Sequence, residues 1–171
     1  IGELKNQLLR ATGSEVKRLG SALTGVMAAA VAKLCDVHEL IFIARKISCA
    51  TRARTLLGSP GRLSSRLQPN HPTDDIRGVT LLCCLGLATG SGDALIGVNP
   101  AVDTVENVSS LLQNLDRLRR RTGVPTQICV LSHIKTQLSC LEGGAPVEIL
   151  FQSLAGTEQT NLLEFDISVD L

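Results

Sequence analysis

The sequence has no Trp and no Tyr, only three Phe, and almost no excess of either charge. Without aromatic platforms on which bases could stack, single-stranded nucleic acid is set aside as a partner. Seventeen Lys plus Arg against sixteen Asp plus Glu leave a formal charge of +1, which removes the electrostatic ground for duplex nucleic acid or an anionic membrane. Long apolar runs are missing too: the nearest, Ala22 to Val37, is broken by Lys33 and falls short of the roughly 18–20 residues that a bilayer span requires. No basic stretch leads into an apolar one with a small-residue cleavage site, so the expectation is a soluble, cytoplasmic protein.

Cysteine is present but not in any spacing that holds a metal. Cys35, Cys49, Cys83, Cys84, Cys129 and Cys140 lie in apolar segments and form neither CxxC nor a Cys/His zinc pattern, so all six read as buried free thiols of a reducing compartment. Adjacent Cys83 and Cys84 inside a helical stretch are too constrained for a disulfide of ordinary geometry. What the chain does have is apolar content, 44% of 171 residues, enough to bury the core of one globular domain. A start on Ile1 instead of Met, and an end at Ile167 to Leu171 where a helical pattern has only begun, predict an excerpt of a longer protein.

Up to about Ser48 the apolar residues recur at helical intervals (Leu4, Leu8 and Leu9; Leu23, Val26 and Met27; Leu34, Leu40 and Ile43). Breaks at Gly13-Ser14 and at Asp36 to Glu39 predict three helices, forming a helical segment over residues 1–58. After the turn Gly58-Ser59-Pro60-Gly61 the pattern becomes a repeat of short strand, polar tip and helix. Strands are predicted over Arg62 to Gln68, Ala94 to Val98, Gln127 to Ser132 and Val147 to Phe151. The helices between them open at Asp74-Asp75, run from Thr104 to Arg121, and close at Gly143-Gly144; another begins after Ala155-Gly156. Asp74 and Asp75 read as acids opposing the positive end of a helix dipole, and Arg117 to Arg121 as a solvated helix end. The strand ends Gln68, Asn99, His133 and Gln152 are 31, 34 and 19 residues apart, against about 31 per unit in a barrel of about 250 residues. Parallel strands joined by helices follow, so residues 59–171 are expected to form about the first four units of a (β/α)8 TIM barrel, an α/β fold preceded by N-terminal helices.

In such barrels chemistry sits at the C-terminal ends of the strands, and the polar residues gather there. Arg66 and Gln68, two apart, share one face, and Asn99, His133, Gln152 and Ser153 would converge from later strands. A guanidinium within an otherwise apolar strand must find acceptors or cost several kcal/mol on burial, which favours a site role for Arg66. Asn70 and His71 read instead as loop-shaping residues before Pro72, and His133 either as a site residue or as a satisfied structural histidine. Gly86 and Gly90-Ser91-Gly92 end a helix instead of following a strand, so they are not a phosphate cradle.

Particular strings carry a family resemblance. Gly61-Arg62-Leu63-Ser64 and Arg66-Leu67-Gln68-Pro69-Asn70-His71-Pro72-Thr73-Asp74-Asp75 resemble the first barrel strand of ethanolamine ammonia-lyase large subunits. The same family is matched, in the same order, by Gly92 to Pro100, by Pro125-Thr126-Gln127 with Val130 to His133, and by Gly144 to Val147 with Phe151 to Thr157. The resemblance implies a carbon–nitrogen lyase that uses adenosylcobalamin to convert ethanolamine to acetaldehyde and ammonia through radicals. It also implies a small-subunit partner, a homo-oligomer of large subunits, and, as in many relatives, enclosure in a bacterial microcompartment. Arg66, Gln68 and Asn99 match substrate contacts of the family, with Arg66 as the catalytic donor; Pro100, Gln152 and Ser153 match positions against the cobalamin. Phe165 is a further cofactor candidate, although the family places its aromatic three residues after the Asn matching Asn161 and here it is four. Two acidic residues that the family supplies beside the substrate ammonium would come after Leu171, so this stretch alone is expected to be inactive. The alternative is a non-catalytic assembly module that holds small subunits or other copies.

Overall fold

The computed structural model describes residues 1–47 and 49–168. They fall into two compact units, one made of Ile1–Thr51 with Gly58–Arg62, the other of Arg52–Leu57 with the described residues from Leu63 on. The ending expected to start a helix at Ile167 to Leu171 lies partly outside the described residues.

The first unit has four helices, α1 (Gly2–Arg10), α2 (Gly13–Gly20), α3 (Gly25–Leu34) and α4 (Val37–Lys46). Two of them start with reciprocal capping boxes, Thr12 with Glu15 and Asp36 with Glu39, which satisfy main-chain donors that the first turn leaves open. Thr24 caps α3, so the stretch expected as one helix through Leu23 and Met27 is instead broken at Ser21 to Thr24. Leu8, Val16 and Val31 form the small core. Lys46 closes the other end of α1, its Nζ donating to the carbonyls of Leu8, Leu9 and Ala11 at 3.2, 2.7 and 2.9 Å.

A two-residue ribbon, β1 (Thr51–Arg52) with β2 (Leu56–Leu57), precedes the sheet of the second unit. That sheet has three parallel strands, β3 (Arg66–Leu67), β4 (Leu95–Val98) and β5 (Gln127–Val130), in the order β3-β4-β5. The connections are α5 (Ile76–Ala88) and α6 (Val105–Thr122), followed by α7 (Ile134–Glu142) and α8 (Glu158–Phe165). Ile96, Val98, Ile128 and Val130 point to one face of the sheet, where they join Val79 and Cys83 of α5 and Val108, Leu111, Leu112 and Leu115 of α6 in one core. The apolar stripe of α6 recurs every three to four residues, as its periodicity predicts.

The architecture is thus α/β, with three parallel strands joined by helices in an open sheet, but three expectations are corrected. Val147 to Phe151 is not a strand: the neighbouring main chain is met by side chains, Glu148 Oε2 accepting from Ile128 N at 2.9 Å and Gln137 Oε1 from Phe151 N at 2.9 Å. The cysteines are not all buried, since Cys49 and Cys84 are exposed. And Arg119, at the basic end of α6, is mostly covered, pairing with Asp116 at 2.5 Å and lying 3.6 Å from Glu148, while Arg120 takes the other Asp116 oxygen at 2.7 Å.

Candidate functional site

In parallel pairing, registered residues point the same way, so Arg66, Leu95 and Gln127 share the sheet face opposite the helical core, and Gly97 and Cys129 follow them. Continuing the alternation by two residues puts Gln68 and Asn99 at the C-terminal rim of that face. Arg66 leans toward the rim. A Cβ placed on Gly97 would lie 3.0 Å from Arg66 Nε and 3.4 Å from Nη2, so the guanidinium rests over Gly97, two residues beyond the register partner Leu95. Asn99 comes two residues later, roughly 7 Å further along the strand.

Arg66, Gln68 and Asn99 are all exposed. Within this chain the Arg66 guanidinium is exposed on the sheet face. Its neighbour Cys129 is 1% exposed, and burial pushes that thiol up to about 11 although the adjacent guanidinium pulls the other way. Arg66 and Gln127 flank Leu95 in the first row of this face, and Gly97 and buried Cys129 form the next.

The rim is ordered by side chains that bond to the main chain of the next loop. Asn70 Oδ1 accepts from Asn99 N at 2.8 Å, fixing the start of the turn that carries Asn99 and Pro100. His71 shapes its own loop, its Nδ1 facing Asp75 N at 3.3 Å and its ring packed where a side chain on Gly78 would have to go. Asp75 is the N-cap of α5, accepting from Gly78 N at 2.8 Å. Asp74 does not serve the helix dipole as expected; it is buried and turned toward the loop after β4.

His133 ties three segments together through its main chain and ring. Its N–H donates to Asp103 Oδ2 at 2.7 Å and its Nδ1 accepts from Lys135 N at 3.2 Å as the N-cap of α7. That leaves the proton on Nε2, which donates to the Phe165 carbonyl at 2.5 Å. Gln152 sits at the same α7 start, Oε1 accepting from Ile134 N at 2.8 Å and Nε2 donating to Ser153 O at 2.9 Å. Asp103, His133, Gln152 and Phe165 are thereby brought together beyond the ends of β4 and β5, with Pro100 in the turn that leads to Asp103. Exposed Ser153 follows Gln152 in the chain.

Gln137 escaped sequence reading. A polar residue in a short helix carries no motif, yet its side chain is 1% exposed and spans Ser132 O, at 2.6 Å, and both main-chain groups of Phe151. It holds the Phe151–Ser153 segment in place of a strand ladder. The only available signal was an unexplained amide among the apolar positions of α7.

A family model described as ethanolamine ammonia lyase large subunit (EutB) matches residues 1–171. The chain is 39% identical over 171 residues to the ethanolamine ammonia-lyase large subunit of Escherichia coli (strain K12), which covers 99% of this chain and 38% of the relative. It is 38% identical over the same length to that of Salmonella typhimurium (strain LT2). It therefore spans well under half the length of these relatives, 38% in each case. With a full-length family match and such relatives, this chain belongs to the ethanolamine ammonia-lyase large-subunit family.

Proposed function

We propose that the chain supplies part of the substrate and cofactor site of an adenosylcobalamin-dependent ethanolamine ammonia-lyase, and that its parallel sheet is a portion of a (β/α)8 barrel. The observation that carries this reading is the shared face. Arg66 lies on the side of the sheet away from α5 and α6 with its guanidinium over Gly97, and the strand alternation carried two residues on supports the same face for Gln68 and Asn99.

Arg66 can donate to the substrate hydroxyl oxygen, on which charge changes as the amino group migrates, and the amide oxygens of Gln68 and Asn99 can accept from the ammonium. None of the three is a carboxylate, so the balancing negative charge belongs to other parts of the full-length subunit. Adenosylcobalamin, when bound, supplies the radical by homolysis of its cobalt–carbon bond. The rim fits such a broad group as a contact surface: the amide of Gln152 and both ring nitrogens of His133 are already engaged in fixing the loops, which keeps that surface in place. Pro100, Gln152, Ser153 and Phe165 would line it, and their packing would exclude water from the reacting carbon.

The test uses the full-length large subunit assembled with its small subunit and adenosylcobalamin. Arg66→Ala is expected to slow ethanolamine turnover by about 10²–10³, the usual loss for one transition-state donor. Unchanged turnover would overturn the assignment. A second reading, an assembly module, is favoured by the exposed apolar side chains Val26, Val37, Ile41 and Phe42 of α3 and α4. It is distinguished by the same experiment, because a module has no turnover for Arg66→Ala to remove.

A further inference from the structure

Asp74 is 6% exposed and has a φ of 53°, one of two residues other than glycine with positive φ among the described residues. Both features are costly. A buried carboxylate must be fully hydrogen-bonded, and the left-handed conformation disfavours any side chain, Asn and Asp least. All of the acceptor capacity goes to one place: both oxygens take Ala101 N, at 2.9 and 2.8 Å, and Oδ2 also takes Val102 N at 3.1 Å and Asn107 Nδ2 at 2.7 Å. Asn107 in turn donates to Val102 O at 2.8 Å, closing the turn on itself.

The residues so held follow directly on Asn99 and Pro100. With Asn70 on Asn99 N, three of the four residues Asn99 to Val102 have their N–H fixed by the loop after β3, and Pro100 has none to fix. The β4–β5 ladder cannot set this turn, because β4 ends at Val98. Its position is dictated from the neighbouring strand's loop, through Asp74.

We propose that Asp74 is a positioning residue: by gripping the main chain of Ala101 and Val102 it sets where Asn99 meets the substrate and where Pro100 meets the cofactor. This rests on the function proposed above. The left-handed conformation at Asp74 is what turns the carboxylate out of its own loop and across to the next one.

The experiment measures three things on the full-length large subunit assembled with its small subunit: KM and kcat for ethanolamine, half-saturating adenosylcobalamin, and amide exchange at Ala101 and Val102. Asp74→Asn keeps the shape and tolerates the left-handed backbone, but replaces one acceptor oxygen with an NH2 that faces other donors. It is expected to raise KM and half-saturating cofactor about tenfold, with faster exchange at both amides. Asp74→Gly removes the grip while relieving the backbone, and should approach the roughly 10²-fold loss in kcat/KM that a misplaced contact group causes. Asn107→Ala should give a smaller change in the same direction. A purely structural role would lower the yield of active enzyme and leave KM and cofactor affinity where they were.

The proposal is overturned if Asp74→Asn and Asn107→Ala exchange faster at Ala101 and Val102 yet keep both affinities within about twofold, less than the roughly tenfold shift that 1.4 kcal/mol gives. It is also overturned if exchange at those amides does not change. Should Asp74→Gly fail to fold, the other two variants decide. Failure of the functional reading would look different: the wild-type assembly would not turn over ethanolamine at all.

Discussion

Replacing Gln137 by Leu would delete the amide that joins α7 to the Phe151 segment while keeping a side chain of similar length and apolar character. Three main-chain groups lose their partner: Ser132 O, Phe151 O and Phe151 N. Phe151 is itself exposed, so its two groups can recover water, whereas the Ser132 carbonyl is sealed beneath a residue that is 7% exposed. At about 1–3 kcal/mol for a sealed group, and less for the two that rehydrate, the local loss comes to about 2–4 kcal/mol. Amide exchange at Phe151 in the full-length subunit should then accelerate by about 10–10³-fold, since each 1.4 kcal/mol is a factor of ten. Gln137→Glu adds a second handle. The introduced carboxyl has one proton to give to one of the two carbonyls, and only when protonated, and burial raises its pKa above the unfolded value. Its stability contribution is therefore complete below the unfolded pKa and lost as pH rises through the raised folded pKa, so Phe151 exchange in this variant should quicken with pH beyond the intrinsic trend. Protection at Phe151 that stays within about threefold of wild type in Gln137→Leu, under 1 kcal/mol of local stability, would show that something other than the amide holds the segment.

Two further perturbations probe the sheet. Gly97→Ala places a methyl 3.0 Å from Arg66 Nε and 3.1 Å from Leu131 Cδ1, both on flexible side chains, so the fold should survive while the guanidinium shifts by a few tenths of an ångström; kcat/KM for ethanolamine in the full-length assembly should fall about tenfold, and an unchanged value would show that Gly97 is not the seat of Arg66. Exposed Cys84 should alkylate in the native protein well before its neighbour Cys83, which is fully buried and whose thiol burial pushes up to about 12; peptide mapping that found the two equally modified would contradict this packing of α5.

Legibility in the sequence followed the strength of local pattern. The eighteen-residue α6 was readable because its apolar positions recur over five turns and the basic run Arg117 to Arg121 marks its last turns, which the structure closes on a left-handed Gly123. Strands β4 and β5 were readable because short apolar runs stop at Asn99-Pro100 and at Ser132-His133. The run Val147 to Phe151 has the same appearance and forms no ladder; at its end both main-chain groups of Phe151 are taken by Gln137, which periodicity cannot reveal. The break between α2 and α3 was missed because small residues around Thr24 leave the apolar spacing intact across the cap. At the site, the alternation Arg66, Gln68 and the strand end Asn99 were visible as placements on one face. The setting of Arg66 was not: a charged residue in an apolar strand carries no signal of Gly97 on the next strand, over which its guanidinium rests.

Side-chain ties, more than the sheet ladder, set the geometry of the candidate site. The ladder ends at Leu67 and Val98, and Leu131 N donating to Val98 O at 2.7 Å is its last rung on β5. Beyond that point each loop is tied to the next by one or two side chains: Asn70 and Asp74 reach the turn after β4, Asp103 in that turn reaches His133, and His133 reaches Phe165 while Gln152 returns to Ile134. Each tie uses a short polar side chain against a main-chain N–H or C=O, so its length is fixed within a few tenths of an ångström and the next loop has little freedom. A sequence of links of this kind passes a displacement from one loop to the next along the rim. Loosening Asp74 should therefore disturb Asn99 and Pro100 first and, through Asp103, the His133 cap, whereas loosening Gln137, which bonds Ser132 and Phe151 and not the turn after β4, should disturb the His133 cap and the Gln152–Ser153 end first.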